Sequence, residues 1–325
     1  VPASPALKHA RLDFSGAMLL VAALILLIHA LVDPGKPVYQ WTSITLAILL
    51  GAGFIWREHR VASPMLPLGL FRSRAFSGAN LMTLLLYCAL SGTLYFLPFD
   101  LIQIHGYTAL QAGAAFLPFT LILGFGSTLT GNLIRRFNPR LILTIGPLVT
   151  AAGFAALAIP GMNADFASGF LPGILLIGIG MTLCVTPLTT VVLDSVKAEQ
   201  AGVASGVNNT AARLAGVLAV AILTAVSVAQ FSGRLNQALQ ADNIPVGVTS
   251  ALHKHMDRLA ELTAPGNLSG SVADRINADI AQSYTGTFRV LMLICSLLAL
   301  LSGGIAWLSF PAQRIATASG DSTSS

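Results

Sequence analysis

Long apolar stretches alternate with short polar breaks along the chain, and the apolar stretches exceed the length of a strand or of a short core helix. A helix needs about 20 mostly apolar residues to cross about 30 Å of hydrocarbon. Eight stretches qualify: 15–33, 41–56, 76–98, 109–132, 141–160, 169–192, 204–230 and 287–309, the second needing an extra turn at either end. Formal charge is nearly missing from them. Arg213 is the clear exception, and Arg289 lies at an edge. A membrane barrel would alternate apolar and polar positions over about ten residues per strand, which these do not. The pattern predicts an all-α fold: a polytopic helical membrane protein with eight transmembrane helices.

Composition adds exclusions. Of 325 residues, 54% are hydrophobic and 10% charged, against about 25% charged in soluble domains. A soluble globule and a disordered chain are both excluded. Cys88, Cys184 and Cys295 sit in apolar stretches and read as small packing residues, too few for a disulfide framework. Phosphate-cradling, HExxH and GxSxG signatures are missing, so no enzyme and no cofactor are expected. His253 and His255 are two apart and cannot share a helix face, and no metal site is expected.

The charges also orient the chain. With eight spans, one side carries Lys8, Arg11, Arg57, Arg60, Arg72, Arg74, Arg135, Arg136, Arg140, Lys197 and Arg314. The short segments of the other side carry only Lys36. By the positive-inside rule both termini are cytoplasmic. The basic excess thus reports topology and a lipid bilayer, with no nucleic-acid partner.

Residues 1–14 read as the remnant of a cytoplasmic loop, since they lack a signal-peptide pattern and begin at Val1; the chain is expected to be a piece of a longer one. Residues 15–56 form a pair of spans, 57–75 a cytoplasmic linker, 76–309 a six-helix bundle and 310–325 a disordered cytoplasmic tail. Within the bundle, 231–286 is an outward-facing loop with short helices. There Leu252, Met256 and Leu259 share one helical face, and Val272, Ile276 and Ile280 another. They read as surface helices resting on the bundle, or as a cap over an exit path. Gly169, Gly173, Gly178 and Gly180 mark a close-packing helix. Pro98, Pro118, Pro147, Pro172 and Pro187 free backbone carbonyls within or at the ends of spans.

Few polar residues remain as candidates. Arg213 either pairs with a carboxylate or anionic ligand or tethers its helix at the interface. Asp100 reads as a solvated outer-loop acid, followed by Gln103 and His105. Tyr87, Tyr95 and Phe116 either line a cavity for greasy or aromatic compounds or pack against neighbours.

Four segments carry a resemblance. SPMLPLGLFR at 63–72 resembles the connection before the C-terminal bundle of the EmrB/QacA-type, fourteen-span drug:proton antiporters of the major facilitator superfamily. GYTALQAGAAFLP at 106–118 is similar to that family's GYSPLQAGLALLP pattern. GNLIRRFNPR at 131–140 resembles the second copy of its cytoplasmic loop motif, departing at Asn132 and Asn138. GVASGVNNT at 202–210, with Arg213, resembles its AGxASGxxNTxRQxG helix start, with the arginine out of register.

The resemblance implies an inserted pair of spans at 15–56, a C-terminal six-helix bundle at 76–309, and an N-terminal six-helix half missing from this chain. It implies proton-coupled efflux of small lipophilic or cationic molecules, with the coupling acid in that missing half. The cavity wall would include Tyr87, Tyr95, Gln103, Phe116, Thr186 and Asn208. Gly131, Arg135, Arg136 and Arg140 would form part of a cytoplasmic gate, or serve only as positive-inside anchors. A cooperating periplasmic adaptor leaves no mark in the sequence. Two other readings remain open: a non-transporting scaffold made from a degenerate transporter half, and a membrane-embedded enzyme on lipid-linked substrates.

Overall fold

The computed structural model describes residues 13–32, 37–61, 64, 66–136, 138–242, 244–253, 255–265 and 270–311; the side chains of 32, 37, 127–129, 131–136, 246 and 257 lie outside that description. The loop remnant before Asp13, the tail after Pro311 and residues 63 and 65 of the linker motif also fall outside it. The described residues are almost wholly helical, and eight helices are long and apolar enough to span a membrane.

α1 (Phe14–Val32) and α2 (Pro37–Glu58) form a hairpin. Beyond its partner, α1 also meets α8 (Ala201–Ala241). Phe14, Met18, Val21, Ile25, Ile48 and Leu49 are exposed on the hairpin, an outward apolar surface suited to lipid. Asp13 and Arg57 clamp its open end. The carboxylate caps α1 by accepting from the Gly16 amide at 2.9 Å and takes Arg57 Nη2 at 2.9 Å. The Arg57 guanidinium, with help from the Gly16 amide, holds the Asp13 carboxyl below its ordinary value.

A carboxyl lowered in this way stabilises the folded hairpin above its ordinary pKa of about 3.9, and that stability is lost as pH falls through the lowered value. Asp13→Asn should therefore lower the melting midpoint read by Trp56 fluorescence at pH 7. The difference from the native chain should shrink steadily as the pH falls below about 3.9 and on through the lowered value. A difference that stays the same as the pH falls would refute the clamp.

The other six long helices are α3 (Arg74–Gln103), α5 (Leu117–Arg136), α6 (Pro139–Leu157), α7 (Leu171–Asp194), α8 and α10 (Gly270–Ser309). α3 packs on α8 and α10, α6 on α7 and α10, and α5 on α7. Ser73 caps α3 through the Phe76 amide at 3.3 Å, and Asn138 caps α6 through the Arg140 amide at 2.9 Å. The 109–132 stretch supplies one candidate span, beginning at Ala109, but a turn at 115–116 interrupts its helix. It divides into α4 (Ala109–Ala114) and α5, with Pro118 at the second position of α5, where its missing N–H costs nothing. Thr108 opens α4 with a reciprocal capping box to Gln111.

α6 and α7 touch backbone to backbone. A Cβ on Gly153 would lie 2.8 Å from the Gly173 carbonyl oxygen, and one on Gly180 would lie 2.5 Å from the Thr150 amide nitrogen. Only hydrogen fits in such gaps. Across the bundle, Ser296 Oγ donates to the Ala151 carbonyl at 2.9 Å and Arg289 Nε to the Ala158 carbonyl at 2.9 Å, tying α10 to the end of α6.

The 231–286 segment differs from the expected loop. α8 continues unbroken to Ala241 and α10 begins at Gly270, so each helix is about 60 Å long, roughly twice the hydrocarbon thickness. Phe231, Leu235 and Leu239 prolong the buried stripe of α8 at four-residue spacing, and Ile276 and Ile280 do so on α10. Mean polarity rises there, which hid the helices from a length-and-hydropathy reading. The periodicity does not change. Only α9 (Val246–His253) and the short turn Met256–Glu261 lie between them, and Leu252, Met256, Leu259 and Leu262 are buried in the same core. Val272, Ile276 and Ile280 therefore belong to α10 itself, not to a surface helix.

Candidate substrate crevice and charged sites

α3 starts at the end of the bundle where the basic residues gather, and α5 and α7 run antiparallel to it. In the half away from that basic end, the three helices leave a small crevice lined by Leu90, Thr93, Leu94, Leu97, Phe116, Phe119, Ile174 and Ile177. Its one hydroxyl, on Thr93, is already spent: it donates to the Ala89 carbonyl at 3.1 Å and approaches the Met292 sulfur at 3.7 Å. Pro98 one turn further along α3 cannot supply the amide that would bond the Leu94 carbonyl. The crevice is thus apolar, with a backbone acceptor freed at its rim. Sequence reading placed Phe116 in a cavity wall but missed the other seven residues, because aliphatic residues of a cavity and of a core are alike in sequence.

The six candidate cavity residues spread over the bundle. Asn208 accepts from Thr83 Oγ1 at 2.7 Å, which joins α8 to α3 near the basic end. Gln103 is exposed at the opposite end of α3, twenty residues on, so about 30 Å away. Tyr87 and Phe116 are half-buried against the main core, Thr186 is half-buried on α7, and Tyr95 is half-exposed with its ring against Phe96 at 5.0 Å. Only Phe116 lines the crevice.

Arg213 is exposed on α8 and has no carboxylate within ion-pair distance among the described residues. Gly131, Arg135 and Arg136 occupy the last turns of α5, their side chains outside the description. The Arg140 guanidinium lies over the Trp307 ring at 3.9 Å, and Arg60 lies over Trp56 at 4.6 Å. Stacked Arg–Trp pairs of this kind suit a membrane–water boundary.

Asp100 corrects the expectation of a solvated acid. It is 2% exposed, because α3 runs past Pro98 as far as Gln103 and carries it into the bundle. Its Oδ2 lies 3.4 Å from Nε2 of His105, whose side chain is equally enclosed. Phe170 meets the His105 ring edge-on at 4.9 Å. The sequence placed both residues at this end but gave Asp100 to solvent, since the length of α3 beyond the proline was not legible. Among the described residues no group of three or more His, Cys, Asp or Glu side chains could hold a metal. Cys88, Cys184 and Cys295 are free thiols, the last two buried.

Eight helices long and apolar enough to cross a membrane, six of them packed as a bundle, define a polytopic α-helical membrane protein. The chain belongs to the Major Facilitator Superfamily, whose family model matches residues 13–220. It is 28% identical over 305 residues to the tetracenomycin C resistance and export protein of Streptomyces glaucescens, covering 90% of this chain and 56% of that protein. It is 30% identical to the multidrug resistance protein Stp of Mycobacterium tuberculosis (71% of this chain, 43% of that one). It is 32% identical to the puromycin resistance protein pur8 of Streptomyces alboniger (68% and 45%). The chain thus spans about half the length of these relatives. In fold it resembles a bacterial homologue of the human lysosomal transporter Spinster in an inward-facing, occupied conformation. That match has a TM-score of 0.54 at 16% identity and covers 91% of this chain and 65% of the other.

Proposed function

We propose that this chain forms part of a proton-coupled exporter of small lipophilic or weakly cationic compounds, of the fourteen-span drug:proton antiporter type. The observation that carries the reading is the small apolar cleft where α3, α5 and α7 meet, which in this conformation has room for no more than about one water and carries no unsatisfied side-chain polar group. Such a wall selects by shape and apolar contact, and the freed Leu94 carbonyl offers a single acceptor to a cationic ligand. The relatives' names support the direction, since each is a resistance or export protein.

In this reading residues 15–56 are a linker pair and 76–309 one half of the carrier, joined by 57–75. The other half precedes it. The basic end is cytoplasmic, in a bacterial inner membrane. Tyr87, Tyr95, Gln103, Phe116, Thr186 and Asn208 mark successive levels of the path, and the Gly131–Arg140 segment, with Arg135 and Arg136, forms the inner gate. Arg213 anchors α8 at the inner interface. The two halves rock around a site near the midplane, and bound proton and substrate shift the populations of the two states.

The intact protein in inside-out vesicles should accumulate ethidium when the interior is acidified and stop when the gradient is collapsed. Accumulation that persists without a gradient refutes antiport, and none under any gradient refutes export. Leu94→Asn, at a position already partly exposed, should raise KM for a neutral lipophilic probe several-fold with little change in kcat. An unchanged KM would remove the crevice from the path.

A further inference from the structure

We propose that Asp100 and His105 form a proton-binding site that latches the end of the bundle opposite the basic loops, releasing one proton to water when that end opens above about pH 6.5. The geometry that points to it is a carboxylate and an imidazole 3.4 Å apart, both enclosed, at the joint where α3 turns into α4. A second observation is independent of that pair. Tyr284 of α10 is fully buried with its ring 5.3 Å from that of Phe99, the neighbour of Asp100 on α3, and its hydroxyl has no hydrogen-bond partner among the described residues. A buried hydroxyl without a partner costs free energy, so this end of the bundle holds polar groups that its closed packing leaves under-satisfied.

With one proton between them the pair is neutral overall, either as carboxylate and imidazolium or as carboxylic acid and imidazole. Losing that proton leaves a net negative charge in the bundle, and gaining a second leaves a net positive one. Both are expensive without water. Among the described residues no third charged side chain lies within ion-pair distance of either group. Tyr107 lies 6.4 Å from the His105 ring, and Tyr95 is the other titratable group near Tyr284. The lead-in to α7 contributes only the apolar rings of Phe166 and Phe170. Arg258 and Glu261 of the short turn and Arg234 of α8 are exposed. The closed site therefore keeps one proton.

Hydrated groups behave differently. An imidazole in water gives up its proton above about pH 6.5, while a carboxyl is ionised above about pH 4. Above about pH 6.5 the open site holds no proton and the closed site one, so closure takes up a proton and weakens about tenfold per pH unit. Between those two values open and closed states hold the same number, and closure is independent of pH. Below about pH 4 the open state holds two, and closure weakens again.

Proton binding at this site does not depend on the exporter reading. Its consequence for transport does: protonation from the far side would favour closure there, at a second position beside any coupling acid of the other half.

Thiol accessibility tests the latch without any transported compound. Ala112 of α4 is 1% exposed in the core, and Leu110 on the same helix is 83% exposed. The chain carrying Ala112→Cys is treated with N-ethylmaleimide in lipid nanodiscs from pH 5 to 8.5, and labelling is read at that peptide by mass. Dividing by the rate of Leu110→Cys removes the thiolate dependence of the reagent. The ratio should be flat up to about pH 6.5 and then rise about tenfold per unit. Asp100→Asn and His105→Gln should each abolish the rise. A flat ratio in the otherwise native chain overturns the proposal, as does the same slope in Asp100→Asn. Should either variant fail to fold, the native slope decides alone.

Discussion

Replacing Gly180 with valine will prevent α6 and α7 from closing on one another. Its Cβ would meet the Thr150 amide nitrogen at 2.5 Å, and backbone cannot swing aside as the end of a side chain can. The same face holds Gly153, whose Cβ would meet the Gly173 carbonyl oxygen at 2.8 Å, so the contact has two fixed points. In lipid there is little hydrophobic drive between helices, and close packing carries the association. Overpacking a well-filled core by a methylene costs about 1–3 kcal/mol, and three carbons against backbone will exceed that. The expected result is loss of the monodisperse species in detergent size-exclusion chromatography. Gly202→Val provides the control, because nothing lies within 4 Å of a Cβ there. Equal behaviour of the two variants would disprove the close contact.

Phe231→Ala should loosen the far-end cap by about 3–5 kcal/mol, the range for removing a buried aromatic side chain. Phe231 is fully buried where α8 leaves the apolar span, and it begins the stripe that Leu235 and Leu239 continue. Beyond the lipid the hydrophobic effect acts at full strength, so a cavity here weakens the packing of Leu252, Met256 and Leu259 on the long helices. Limited proteolysis should cut the 244–265 segment at least tenfold faster in the variant, while circular dichroism of the spans stays near native. Unchanged cleavage would mean that the cap is held by other contacts.

Helix number and most helix positions were legible in the sequence because a bilayer imposes one requirement, apolar length, and residues such as Phe14–Val32 meet it without a partner. The glycines of α7 were legible as a packing face for the same reason. Outside the lipid the requirement changes. Phe231, Leu235, Ile276 and Ile280 are buried against each other's elements, so their burial depends on which helices project together. The charged site was misplaced by the same route. Asp100 lies past Pro98, a residue that breaks isolated helices, and packing against α10 and the α4 joint carries it inside.

The primary sequence was enough for an all-helical membrane protein, for the basic end and for the family resemblance, since each follows from local composition or from short contiguous motifs. The crevice, the Asp100–His105 pair and the cap came only with the tertiary structure. Each joins residues from helices distant in the chain, and apolar residues in a wall, a core or a lipid face read alike until those helices are packed.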